Sequence, residues 1–188
     1  METLKQFDIA FSQIINDFNS PFADTLMILV SEKLTWIPLY LLLGIVLYRS
    51  LNVRLFFLSI LLIAIGILLS DQISVAMKYG FERLRPCHDQ AIAHLLHIPI
   101  GCGGQFGFIS SHAANTMCLA TLAINLTRVK WISVLFVVYA LINSYSRVYL
   151  AKHFVGDAVG GMILGLLLGF GLYLLFKFMS QLTYFDSK

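Results

Sequence analysis

Charge is what this 188-residue chain has least of. Only 12% of its residues are charged and 59% are hydrophobic, and the mean hydropathy is +0.82. A soluble domain of this size carries far more charge, because its surface must be wetted. The scarcity therefore excludes an ordinary soluble fold. The net charge of +3 is too small to argue for a nucleic-acid partner. A secretory leader is also missing from residues 1–18, which have no basic start, no unbroken apolar run and no small-x-small cleavage site. No lipidation motif stands out. Cysteine is scarce too: there are three, Cys87, Cys102 and Cys118, and two of them flank one polar loop. Length leaves room for one helical bundle and no second sizeable domain.

The charges that are present sit in short gaps between long apolar runs, the pattern of a polytopic membrane protein. Five spans are expected: 34–48, 55–77, 113–127, 131–149 and 155–178. The first needs backward extension to reach the roughly 20 residues a bilayer requires. Trp36 and Tyr48 near its ends fit an interfacial aromatic belt. Residues 3–18 place Leu4, Phe7, Phe11, Ile14, Ile15 and Phe18 at helical spacing, which predicts an amphipathic helix lying in the membrane interface. Asn19-Ser20-Pro21 reads as a helix break and restart, with Ser20 as the cap. Residues 1–31 are thus expected as interfacial helices and 32–188 as a transmembrane core. A sixth span built from the N-terminal region stays open.

If the spans alternate, Arg49, Arg54, Arg128, Lys130, Lys177 and Lys188 fall on one side, which the positive-inside rule assigns to the cytoplasm. The 79–111 loop and the turn near 147–154 then lie outside. Both carry basic residues against that bias, and a phosphate site would explain them. In the fifth span, Gly161, Gly165 and Gly169 form a small-residue stripe for close helix packing.

Three polar clusters share the outer side. Lys78 to Pro86 leaves the second span, Ser110-Ser111-His112 opens the third, and Ser146 to Asp157 joins the fourth to the fifth. Antiparallel spans bring all three to one end of the bundle. Lys78, Arg85 and Arg147 supply cations suited to phosphate oxygens and to the charge that develops as phosphorus is attacked. His112 and His153 supply imidazoles. Asp157, four residues after His153, stands one helical turn away and can fix its tautomer. Ser110 is placed to cap the helix that His112 begins, and the free N–H groups of that first turn make an anion site. One imidazole as nucleophile and the other as acid fit hydrolysis of a phosphomonoester or diphosphate through a phosphohistidine. No carboxylate cluster is available for Mg²⁺, so a metal-free reaction with no cofactor is inferred. Arg83 reads as an interfacial snorkelling residue. Asp71 shares a face with Ser74 and Lys78, and either supports Lys78 or meets water at the interface.

Lys78-x6-Arg85-Pro86, Ser110-Ser111-His112 and Ser146-Arg147-x5-His153-x3-Asp157 together resemble the three-part signature of the type 2 phosphatidic acid phosphatases. These are integral membrane lipid phosphatases sharing a helical core with vanadium haloperoxidases. The resemblance implies an all-α bundle of five to six spans with that core. It implies His153 as nucleophile, Asp157 as its orienter and His112 as general acid. It implies Lys78, Arg85, Ser110, Arg147 and the backbone N–H of Ser111 as phosphate ligands. The family's middle motif is usually Pro-Ser-Gly-His, where this chain has Ile109-Ser110-Ser111-His112. Expected substrates are an undecaprenyl diphosphate, phosphatidylglycerophosphate, phosphatidic acid or lipid A type of lipid, met at the outer face of a bacterial inner membrane. Two rivals are a haloperoxidase-like protein, opposed by the apolar composition, and a lipid-phosphate carrier, which has no need of both histidines.

Cys87 and Cys102 both lie in the outer loop. A disulfide there closes about 16 residues and contributes roughly 3 kcal/mol in the chain-entropy view. His88, His94 and His97 share that loop, but their spacing fits no usual zinc pattern. Cys118, within a span, reads as a packing residue.

Overall fold

The computed structural model describes residues 2–185, with the side chains of Glu2, Leu4 and 182–185 outside the described set. The expectations for Leu4 and Lys188 fall outside it. Among the described residues seven α-helices occur in order: α1 (Glu2–Asp17), α2 (Pro21–Ser31), α3 (Ile37–Ser50), α4 (Val53–Phe81), α5 (Ser111–Thr127), α6 (Lys130–Tyr149) and α7 (Val155–Phe185). Short 3-10 turns stand at Lys33–Trp36, Pro86–His88 and Ala93–Leu95, and no strand occurs among the described residues.

Helix starts obey local chemistry. The Ser20 hydroxyl accepts from Ala23 N–H at 3.2 Å with Pro21 in the first turn, and Asn52 accepts from Leu55 N–H at 2.9 Å. These caps satisfy donors that the first helical turn leaves unpaired. α4 and α5 end on Glu82 and Arg128, both in the left-handed region. That conformation turns the chain sharply, out of α4 into the long outer loop and out of α5 toward α6.

Three helices among the described residues are long and apolar enough to cross a membrane: α4, α6 and Val155–Gln181 of α7. α2 with Lys33–Ser50 makes a fourth if counted together, although the pair is bent by 70°. The five to six spans expected are therefore more than the helices show. α3 has 14 residues, and α5 has 17 and is wrapped by its neighbours. A helix buried in protein needs no lipid-length apolar surface, so α5 is short and carries Asn115, Thr116 and Thr121.

α5 is the axis of the bundle, packed by α3, α4, α6 and α7. Its tightest neighbour is α7, through the glycine stripe. A Cβ on Gly161 would stand 2.4 Å from the Ser110 carbonyl oxygen, and one on Gly165 would stand 2.2 Å from that of Ala114. The two backbones touch there, which fixes His112 on α5 relative to the start of α7. Gly165→Ala is expected to cost roughly 1–3 kcal/mol, the usual range for overpacking. Gly171→Ala, with nothing within 4 Å of the added methyl, should leave stability unchanged. Thermal unfolding of both variants in detergent checks this.

α1 is amphipathic in an unusual sense. Its polar Ser12 and Asn16 are buried against the protein, while Phe7, Phe11, Ile14 and Phe18 are exposed. The Asn16 amide donates to the carbonyls of Tyr149 and His97, at 2.7 and 2.8 Å, and the Ser12 hydroxyl accepts from Val155 N–H at 3.0 Å. α1 therefore lies across the turn that joins α6 to α7.

Candidate active site

The antiparallel run of α4 to α7 puts the end of α4, the start of α5, the end of α6 and the start of α7 together. A cavity of about 180 Å³ opens there, lined by Lys78, Arg85, Ser111, His112, Arg147 and His153, with Lys33, Asp71 and Asn115 completing its wall. Six of the eight residues expected in catalysis and phosphate binding thus share one space. Asp157 and Ser110 stand behind it, each wholly buried. Ser110 caps α5, its hydroxyl 3.4 Å from Ala113 N, and its own N–H donates to the Asp157 carbonyl at 2.9 Å.

His153 sits in the short link between α6 and α7, held by its N–H on the Arg147 carbonyl at 3.2 Å. Its Nδ1 lies 3.6 Å from Asp157 Oδ2, one turn on, and has no hydrogen-bond partner among the described residues. The same carboxylate oxygen accepts from Phe154 N–H at 3.0 Å. Burial holds the His153 pKa well below the usual imidazole range, and Arg85, Arg147 and Lys78 push it the same way. The imidazole is therefore neutral at neutral pH, as a nitrogen nucleophile must be.

The cations are positioned separately. Arg85 is held by the carbonyls of Phe106 and Cys102, at 3.1 and 2.7 Å. Arg147 Nη1 donates to the Ser31 hydroxyl of α2. Lys78 donates to the Ser111 hydroxyl, which also bonds that of Ser74. The hydroxyl that replaces the family's usual glycine hydrogen is thus tied to Lys78. Asp71 stands two turns before Lys78 on the cavity wall and accepts the Ser74 hydroxyl at its carbonyl, at 2.8 Å.

The loop after α4 folds over this end. Leu84 pairs with Phe106 in an isolated antiparallel bridge, and Gly107 N–H donates to the Arg83 carbonyl at 2.7 Å. Cys87 and Cys102 are joined as a disulfide with Cα atoms 6.0 Å apart. His88 lies near this pair, while His97 bonds Asp24 at 2.9 Å.

Four residues escaped the sequence reading. Arg83 is no free snorkelling residue. It donates to Asp157 Oδ1 at 2.8 Å and to Asp8 Oδ2 at 2.6 Å, and stacks over the Phe154 ring at 4.2 Å. Asp8 also accepts from Gly156 N–H at 2.7 Å. Lys33 and Asn115 line the cavity. Asn115, one turn after His112, was findable from helical spacing. The link from Asp8 to Arg83 spans 75 positions and leaves no local signal.

A second cavity of about 400 Å³ runs from this one between α3, α4, α5 and α6. Lys33, His112 and Asn115 line both. Its wall is otherwise largely apolar, with Leu43, Ile60, Ile63, Ile67 and Leu119.

A phosphoryl-sized cationic cavity opening into an apolar groove, at one end of a lipid-facing bundle, is the working part of an integral membrane lipid phosphatase. The sequence comparisons identify the family: the PAP2 superfamily model matches residues 53–180, and the chain belongs to that superfamily. It is 36% identical to the lipid A 4'-phosphatase of Bacteroides thetaiotaomicron, over 97% of this chain and 81% of that protein. The lipid A 4'-phosphatase of Porphyromonas gingivalis is 28% identical, over 92% and 74% respectively. Among solved structures, the PAP2-type phosphatidylglycerolphosphate phosphatase of Bacillus subtilis shares the fold at TM-score 0.70 and 23% identity, covering 96% of this chain and 88% of that one. LpxE of Aquifex aeolicus does so at 0.67 and 20%, covering 87% and 92%. The chain is a bacterial membrane hydrolase acting on lipid phosphate. A haloperoxidase or a carrier is not favoured.

Proposed function

We propose that this phosphatase removes a phosphate from an acylated sugar lipid of the lipid A type, at the outer face of the inner membrane, through a phosphohistidine. The observation that carries this is the continuity of the cationic cavity with the apolar groove at Lys33, His112 and Asn115. The two relatives named as lipid A 4'-phosphatases support the choice among lipids.

His153 Nε2 attacks phosphorus while Asp157 steadies the Nδ1 side of the ring. Burial and then Arg147 hold the His112 pKa down to about 3 in the empty site, and the negative charge of the bound phosphate offsets these cations and brings His112 in protonated. The P–O bond to the lipid breaks, and His112 gives that proton to the leaving oxygen. His112, now a base, takes a proton from water as its oxygen attacks phosphorus. The N–P bond breaks and inorganic phosphate leaves. Lys78, Arg85, Arg147 and the first N–H groups of α5 hold the phosphoryl oxygens, and their charge is suited to the transition state. Ser110 acts by capping α5 and so aims those N–H groups.

Orientation is argued from charge. Arg49, Arg54, Arg128 and Lys130 lie in the turns at the far end of the bundle. The positive-inside rule places that end in the cytoplasm and the site outside, where a disulfide between Cys87 and Cys102 persists. The outward apolar face of α1 suits an interface-lying helix beside the site.

The test is phosphate release in detergent from a panel of a lipid A-type phosphate, phosphatidylglycerophosphate, phosphatidic acid and undecaprenyl diphosphate. The highest kcat/KM is expected on the first, and a higher value on undecaprenyl diphosphate overturns the substrate reading. EDTA is expected to leave the rate intact, because fixed cations supply the positive charge at the phosphate. Loss with EDTA and recovery with Mg²⁺ would overturn the metal-free chemistry.

A further inference from the structure

Where the phosphate cavity meets the apolar groove, the wall carries polar groups that the proposed chemistry does not use. Asn143 is four residues before Arg147 on α6, and Asn115 is three residues after His112 on α5. α6 runs toward the site and α5 away from it, so each amide lies about 5 Å deeper along its helix than Arg147 or His112. Asn143 is 3% exposed, and both amides line the groove.

Their hydrogen bonding is incomplete in a definite way. Asn143 Nδ2 donates to the Val30 carbonyl at 3.0 Å, which orients the amide. Its Oδ1 has no partner among the described residues. A buried acceptor left alone is costly, and native proteins rarely leave one without reason. Asn115 Oδ1 accepts from the Ser70 hydroxyl, so its NH₂ group is the side it offers. Lys33, exposed on the turn before α3, lines both cavities and has no ion-pair partner among the described residues. One turn deeper still, the hydroxyls of Tyr40 and Tyr139 bond each other at 2.7 Å. This layer thus offers one acceptor, Asn143 Oδ1, and two donors, Asn115 and Lys33.

We propose that Asn143, Asn115 and Lys33 form a specificity layer that reads the part of the lipid next to its phosphate, selecting an N–H or O–H donor together with an acyl carbonyl. Asn143 Oδ1 accepts from the substrate's amide or hydroxyl, and Asn115 and Lys33 donate to its carbonyl. An N-acylated or hydroxyacylated phosphate supplies both. A glycerol diester supplies carbonyls alone. A prenyl phosphate supplies neither, and leaves all three groups unpaired. A site built to bond a polar group rejects analogues lacking it more strongly than an apolar pocket rejects an extra methylene. This deepens the lipid A reading and rests on it only for the site, because the layer recognises an acyl amide whether or not a sugar carries it.

The experiment measures kcat/KM in detergent for four probes: a lipid A-type phosphate, ceramide 1-phosphate, phosphatidic acid and farnesyl phosphate. Ceramide 1-phosphate has the amide and hydroxyl without a sugar. Wild type is expected to prefer both amide-bearing probes to farnesyl phosphate by tenfold or more, with phosphatidic acid between. Asn143→Leu, close in volume, is expected to lower the ratio of ceramide 1-phosphate to phosphatidic acid about tenfold. Lys33→Gln, at an exposed position that puts little at risk in folding, should lower the ratio of phosphatidic acid to farnesyl phosphate. Equal losses on every probe, or unchanged ratios in both variants, overturn the layer. If Asn143→Leu does not fold, an unchanged ratio in Lys33→Gln alone does so. Turnover of ceramide 1-phosphate without the lipid A-type probe sinks the sugar-lipid reading and leaves the layer standing. Turnover of the lipid A-type probe with unchanged ratios does the reverse.

Discussion

His153→Ala is expected to abolish phosphate release, by about 10⁴-fold or more, on every substrate that wild type hydrolyses. Removing the atom proposed to form the covalent intermediate leaves only binding and electrostatic terms, which act on a reaction that no longer has its first step. The protein should still fold, because alanine keeps the N–H bond to the Arg147 carbonyl and loses only the ring's bond with the Gly107 backbone and its approach to Asp157. Brief reaction with a labelled substrate and an alkaline quench should trap a phosphohistidine in wild type, stable to base and lost in acid, and none in the variant. A variant retaining a tenth of the wild-type rate would place the nucleophile elsewhere.

The pH behaviour rests on the same residue. Burial and three cations hold the His153 pKa well below 6.5 in the folded protein. The proposed nucleophile is therefore unprotonated across the neutral range, and its protonation should cut kcat/KM only well on the acid side of pH 6.5. Stability carries the matching sign. Below pH 6.5 the unfolded chain binds a proton at this imidazole that the folded chain does not, so this group makes the protein less stable as pH falls. In His153→Ala that contribution should vanish from the pH dependence of thermal unfolding.

Much of this was readable from the chain, for physical reasons that differ by element. α4 and α7 show as long apolar runs because most of their surface meets lipid, and α6 shows because its exposed face is apolar. α5 is harder, since a helix enclosed by protein needs neither length nor uniform apolarity. That is why a count of apolar runs comes out slightly higher than the number of helices long and apolar enough to cross by themselves. Lys78, Arg85, His112, Arg147 and His153 were legible because helix order alone brings their segments to one end. Lys33 was not, because its place on the cavity wall depends on the 70° bend between α2 and the segment carrying α3. The inverted amphipathicity of α1 was half legible. The apolar stripe shows in the sequence, but that its polar face grips the α6–α7 turn depends on Asn16 meeting carbonyls at positions 97 and 149.

Arg83→Leu is expected to lower kcat about 10²-fold with KM little changed, although Arg83 is absent from the cavity wall. Asp157 is wholly buried, and its carboxylate has two oxygens to satisfy. Oδ2 takes Phe154 N–H and stands 3.6 Å from His153 Nδ1, while Oδ1 depends on Arg83. Without the guanidinium, a buried carboxylate loses its charge partner, which is costly for the pair as a whole. It can then turn its free oxygen toward another donor or take up a proton, and in either case the His153 ring is no longer held. Misplacement of a reacting group by about 1 Å is enough for a loss of this size. Asp8→Asn isolates the contribution of α1, because it weakens the outer end of the bridge and keeps Arg83 on Asp157. A drop of a few fold is expected there, together with weaker protection of α1 from hydrogen exchange. Arg83→Lys, which keeps the charge but cannot bond Asp157 and Asp8 through two arms of one planar fork, should fall between Asp8→Asn and Arg83→Leu. A purely structural role would lower thermal stability in all three variants and leave the kcat of the folded fraction untouched. A positioning role lowers kcat in that order and shifts the acid limb of the pH profile, since His153 then titrates beside a less firmly fixed carboxylate.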